Sequence, residues 1–120
     1  MARLDLIRLP AGYSPPMTES DRLVFQQSET IRIEGSSVVL RVESRAWSDH
    51  MLGLCVLDVY SARKDSDLID EYDVVEHASY VGVVEHASYV AERPSNALVQ
   101  REAIRLYDEA RAALLASEAS

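Results

Sequence analysis

The chain has 120 residues, 48% of them apolar and 27% charged, the make-up of one globular domain that can bury a core of its own. A net charge of −8 sets it against direct binding to nucleic acid, because phosphate affinity comes from Lys and Arg displacing counterions. The longest nearly apolar stretch, Met51 to Val59, falls far short of the roughly 20 residues that cross a bilayer, so no membrane partner is expected.

The amino-terminal residues carry Arg3, Asp5 and Arg8 among their apolar neighbours, unlike a secretory signal, and the expectation is a cytoplasmic protein. Arg3 to Leu9 alternates as a half-buried strand does, and Pro10 ends it. Residues 10–21, with Gly12, Pro15 and Pro16, have the composition of a loop. Short strands are predicted at Leu23 to Gln26 and at Thr30 to Glu34. A turn at Gly35-Ser36-Ser37 then leads into a strand from Val38 to Glu43, forming an antiparallel hairpin.

Trp47 falls in the connection that follows, and Met51 to Tyr60 reads as a central strand. A short helix is the competing reading there, although Gly53 would cost a helix about 1 kcal/mol against alanine. Cys55 lies in this segment. As the only cysteine it rules out an intrachain disulfide, and between Leu54 and Val56 it is expected to be a buried, inert core residue. The carboxyl end is the clearest element. Pro94, Ser95 and Asn96 offer a break and a polar cap, and a helix is expected over 95–116. Val99, Ala103, Leu106, Tyr107, Ala110, Ala113 and Leu114 form its apolar face, while Arg101, Glu102, Arg105, Asp108 and Glu109 form the other. The fold class expected from this order is α+β: one domain over 1–120, an antiparallel sheet of about five or six strands, and the helix packed on one face.

Residues 74–91 hold a tandem duplication, VVEHASYVG followed by VVEHASYVA. Two copies of nine residues are too few and too short for a solenoid. An odd shift along a straight strand reverses the face, so both copies cannot bury the same side chains if the element runs on. The preferred reading is a hairpin turning at Gly82-Val83, with Val81 facing Val84 and Val75 facing Val90. Those four valines are then the candidates for self-pairing in a homodimer. A helix starting near Asp67, with Leu68, Tyr72 and Val75 on one face, is the alternative.

Charge is unevenly placed. Residues 1–64 hold eight acidic and eight basic side chains, and the remainder hold twelve and four. The densest run is Asp65, Asp67, Asp70, Glu71 and Asp73. It lacks the glycine and terminal glutamate of a calcium loop, and reads either as a solvated loop or as a docking surface for a basic protein.

Catalytic signals are weak. Asp49 with His50, or Glu76 with His77 and Ser79, would be acid–base candidates, but neighbouring strand residues point to opposite faces. His77 and His86, both from the duplication, fall short of the ligands a zinc site needs, and no cofactor-binding motif is present, so neither metal nor cofactor is expected. The leading functional reading is a small noncatalytic acidic interaction module: an inhibitor, adaptor or regulator. Its partner would be a basic protein surface, in the sharpest version a nucleic-acid-binding protein occupied by a decoy. The rivals are a small enzyme or ligand-binding domain with a pocket between helix and sheet near Trp47 and His50, and a self-assembling subunit that uses the duplicated strand.

Overall fold

A computed structural model describes residues 4–10, 22–49, 53–83 and 92–119, with backbone alone for 92–96. Five strands and one helix follow in order: β1 (Leu6–Arg8), β2 (Arg22–Arg32), β3 (Val39–Asp49), β4 (Leu54–Lys64), β5 (Asp73–Val83) and α1 (Glu92–Ala119). The strands form one sheet in the order β1-β5-β4-β3-β2, and every neighbouring pair is antiparallel. β2 to β5 thus make a meander, and β1 adds itself to the far side of β5. The fold is α+β, with a five-stranded antiparallel sheet and α1 packed against it.

β3 and β4 are central because their side chains suit burial on both sides. Leu40, Val42, Ser44, Ala46 and Ser48 of β3 alternate with Val39 and Asp49, and all of these are buried. The even-numbered set faces α1, together with Cys55, Leu57 and Val59 of β4, which are their partners or near partners in register. From the helix come Val99, Ala103, Leu106, Tyr107 and Leu114, all buried. Ser44 would leave a hydroxyl stranded in this core, a loss of about 1–3 kcal/mol when unsatisfied; it donates instead to the Ala103 carbonyl at 3.1 Å, tying sheet to helix. Cys55 is fully buried, and burial pushes its thiol up to about 11. Thiolate chemistry is thereby suppressed, as the flanking residues led one to expect.

The turns follow from backbone needs. Gly35 sits at φ 77° in the β2–β3 connection with open space where a Cβ would stand, so its role is conformational. Gly53, at φ 67°, precedes β4, and its N–H bonds to the Asp49 carbonyl at 2.9 Å. No helix among the described residues is long and apolar enough to cross a membrane.

Several boundaries differ from those the sequence suggested. The two short strands at Leu23–Gln26 and Thr30–Glu34 fuse into β2, because Gln27, Ser28 and Glu29 find ladder partners on β3; a register shift between Leu23 and Phe25 accommodates the extra residue. β3 runs on to Asp49, so Trp47 lies within a strand rather than in a connection. The Met51–Tyr60 segment is a strand from Leu54, extended to Lys64, and the competing helix is excluded. α1 begins at Glu92, three residues before the expected start at 95, and reaches Ala119. Pro94 is compatible with that start, since the first four helical N–H groups have no intrahelical partner to lose. Ala113, assigned to the buried face, is exposed. The expected loop at 10–21 lies mostly outside the described residues.

The duplication is where sequence and structure part most. Its first copy lies wholly within β5, and Gly82 and Val83 are not a turn: both pair with β4, as partners of Cys55 and Leu54. Val81 is held between Ile7 of β1 and Val56 of β4. The hairpin reading fails there because both hydrogen-bonding edges of β5 are already used at 80–82. Val84 and Val90 lie outside the described residues, as do His50 and His86.

Candidate functional site

α1 lies across β2, β3 and β4, and only side chains such as Tyr80 carry the packing over to β5 among the described residues. Three places are left for function: the open half of β5 with the acidic connection before it, the sheet face opposite α1, and a groove beside the helix.

The β4–β5 connection, residues 65–72, carries the acidic run. Its carboxylates divide into two groups. Asp65 pairs with Arg63, which also holds Glu118 near the end of α1, and Asp67 pairs with Arg32 at the end of β2. The Arg32 guanidinium hydrogen-bonded to Asp67 holds that carboxyl below its usual range. These two acids are therefore already compensated. Asp70, Glu71 and Asp73 are exposed and have no ion-pair partner among the described residues. Around them stand apolar side chains in water: Leu68 is 94% exposed, Val74 58% and Val75 51%. Lys64 lies over the Tyr72 ring at 4.8 Å, a cation–π contact within the connection.

β5 continues this surface. β1 pairs only with Tyr80, Val81 and Gly82, and the Leu9 N–H reaches the Ser79 carbonyl at 2.8 Å. Along that same edge, Asp73 to Ala78 have no sheet partner among the described residues. Of the two proposed self-pairing valines among the described residues, Val75 is exposed; Val81 is half-buried and paired on both sides.

The face away from α1 carries a polar cluster that the sequence reading missed. Glu43 and Arg45 of β3, Asp58 and Tyr60 of β4 and His77 of β5 line a cavity of about 200 Å³. Arg45 bonds Glu43 at 2.8 Å, Ser79 donates its hydroxyl to Asp58 Oδ1, and His77 Nε2 stands 3.8 Å from the same oxygen. The His77 and Tyr60 rings meet edge to face at 6.4 Å. As nucleophilic machinery the order is wrong: the carboxylate sits between serine and histidine, whereas activation needs the imidazole at the serine hydroxyl. Glu76 points to the other face, where it pairs with Arg8 at 3.1 Å, so the Glu76–His77 pairing does not form. Asp58 is the partner that strand alternation would have named, once β4 and β5 were known to be adjacent. Among the described residues no group of three or more His, Cys, Asp and Glu side chains could hold a metal ion.

Trp47 is on this face too, since Ala46 beside it packs under the helix. A pocket between helix and sheet cannot therefore be built on Trp47. The space beside the helix is a groove of about 270 Å³ over Val59 and Ala78, next to Ala110 and Ala113, where Arg8 and Glu76 close their ion pair. No protein-family model, curated protein or solved structure matches the chain.

Proposed function

We propose that the chain is a small noncatalytic acidic interaction module, an inhibitor, adaptor or regulator, that takes a basic and extended protein segment along the open edge of β5. One observation carries this reading: among the described residues, Asp73 to Ala78 offer unpaired strand edge, Val74 and Val75 offer apolar contact, and Asp70, Glu71 and Asp73 offer charge without an ion-pair partner, all in one place. Strand addition supplies affinity through main-chain hydrogen bonds, and alternate side chains supply selectivity. Carboxylates at the rim steer a cationic partner and act chiefly on the association rate. A nucleic-acid-binding protein, whose basic surface would be occupied, is the sharpest version of the partner. We place the module in the cytoplasm, where a lone thiol such as Cys55 stays reduced.

A synthetic peptide of alternating lysine and valine tests this. Amide shifts should change over residues 70–78, and binding should weaken as salt rises through the range where the Debye length falls below about 10 Å. Shifts confined to the Glu43–Asp58–His77 cavity would favour the ligand-binding alternative. Concentration-dependent shifts without peptide would assign the edge to a second copy of the chain through Val75. Salt-independent binding would remove the electrostatic docking idea.

A further inference from the structure

We propose that the two copies of the duplication compete for one place in the sheet, the place of β5, and that the single residue by which they differ decides the outcome. Position by position, Val83 to Val90 repeat Val74 to Val81, and only the ninth residue changes, Gly82 against Ala91. A register moved by nine residues would put identical side chains at the two buried positions 78 and 79. It would also set Gly82 where Asp73 stands and Glu92 where Val83 stands, both exposed positions that tolerate either residue. Position 82 is different. It is buried between β1 and β4, paired with Leu6 and Cys55. A Cβ added there would lie 2.9 Å from Leu6 Cδ2, 3.1 Å from Cys55 Sγ and 3.2 Å from the Asp5 carbonyl oxygen. Leu6 can swing aside at its end. Cys55 is fully enclosed and Asp5 presents backbone, so neither yields without moving a strand. Gly82 is not at positive φ, so its place rests on room alone.

Little else separates the registers. The β4–β5 connection would lengthen, but closure entropy grows only with the logarithm of loop length. After β5, the first turn of α1 would have to serve as the link. Among the described side chains the buried face of the helix begins at Val99, and Ala97 is exposed, so a helix starting at Ala97 keeps that face. The polar stretch Pro94-Ser95-Asn96, which reads in sequence as a break and a cap, would then start a helix at Ala97. The alanine at position 91 thus works as a lock: it keeps the second copy from displacing the first.

The full-length chain and its variants Gly82→Ala and Gly82→Ala/Ala91→Gly test this by thermal denaturation and by hydrogen exchange read separately on peptides from the two copies. The wild-type chain should protect 74–82. Gly82→Ala should lower Tm by roughly 5 °C or more. The double variant should recover most of that loss and move the protection to 83–91. An unchanged Tm for Gly82→Ala would overturn the steric lock, and so would a double variant that stays destabilised or keeps its protection on 74–82.

Discussion

Under α1 lie β2, β3 and β4; beyond it lie β5 and β1, and the two halves solve burial differently. In the covered half, Leu40, Val42, Ala46, Leu57 and Val99 are closed off completely, and even the polar Ser44 is bonded to the helix backbone. In the overhanging half, β5 turns Val74, Val75 and Val83 to solvent, and among the described residues much of one of its edges has no partner. The outer edge of β2 is guarded by contrast. Gln100 donates to the Val24 carbonyl at 2.8 Å, and the strand displays Arg22, Gln26, Glu29 and Arg32; a register shift is common to both strands, near Val24 in β2 and at Val75 in β5. Burial is concentrated under the helix, and exposed apolar and acidic surface lies outside it.

The largest effects should come from the covered half. Leu106→Ala and Leu114→Ala each remove a buried side chain from the α1–sheet contact and should cost about 2–5 kcal/mol, whereas the exposed Arg101→Ala should stay within about 0.5 kcal/mol. Equal urea midpoints for the three would mean that α1 is not docked in solution. Next come deletions in the overhang. Removing Val83–Ala91 should leave a folded protein, and removing Val74–Gly82 should leave a weaker one, because the two products differ only by glycine or alanine at the enclosed position. If the products melt together, the comparison between the two copies collapses. Light scattering on the intact chain and the Val83–Ala91 deletion adds a second reading: the intact chain should associate more, and two identical monomers would remove self-pairing from the account.

A smaller effect is expected at the seam between β2 and α1. Tyr107 donates to Glu29 at 2.9 Å and Arg111 reaches the same carboxylate at 2.9 Å. These bonds, that from Arg111 first, lower the Glu29 pKa from its ordinary 4.5. A carboxyl depressed in the folded state contributes stability above its unfolded pKa and loses it as pH falls through the folded value. Glu29→Gln should therefore flatten the stability profile below about pH 4.5. Tyr107, pushed up to about 12 mainly by burial and then by Glu29, works in the opposite direction: its contribution is lost as pH climbs from the ordinary tyrosine range towards that value. Tyr107→Phe should cost about 1 kcal/mol near neutrality. The smallest effect on stability, within about 0.5 kcal/mol, is expected for Asp70→Asn, Glu71→Gln and Asp73→Asn together, which should instead slow association with a basic peptide at low salt. An unchanged on-rate would detach the acidic connection from binding.

Local pattern was enough for α1 and for the strand character of most of the first half. The helix stripe from Val99 to Leu114 repeats at a period that only one conformation can bury on one side, and Ile31, Ile33, Val38 and Leu40 flank a glycine turn whose short reach forces an antiparallel pair. The acidic run was equally legible as composition, but which of its acids are already paired was not, since Arg32 and Asp67 meet only because β2 and the β4–β5 connection end side by side. The polar cluster on the face away from α1 was hidden for the same reason: Asp58, His77 and Glu43 are brought together by three-strand register, not by sequence spacing.

The amino-acid sequence by itself determined the class of fold, the inert cysteine's core setting, the amphipathic helix and the existence of two nearly identical nine-residue copies. Tertiary structure alone decided what the first copy became. Gly82 has every local qualification for a turn, yet it is a strand residue because β1 and β4 close on it from both sides, leaving less room than a methyl group needs. Local chemistry sets what a glycine can do, and the neighbours that long-range pairing brings to it select which of those things it does.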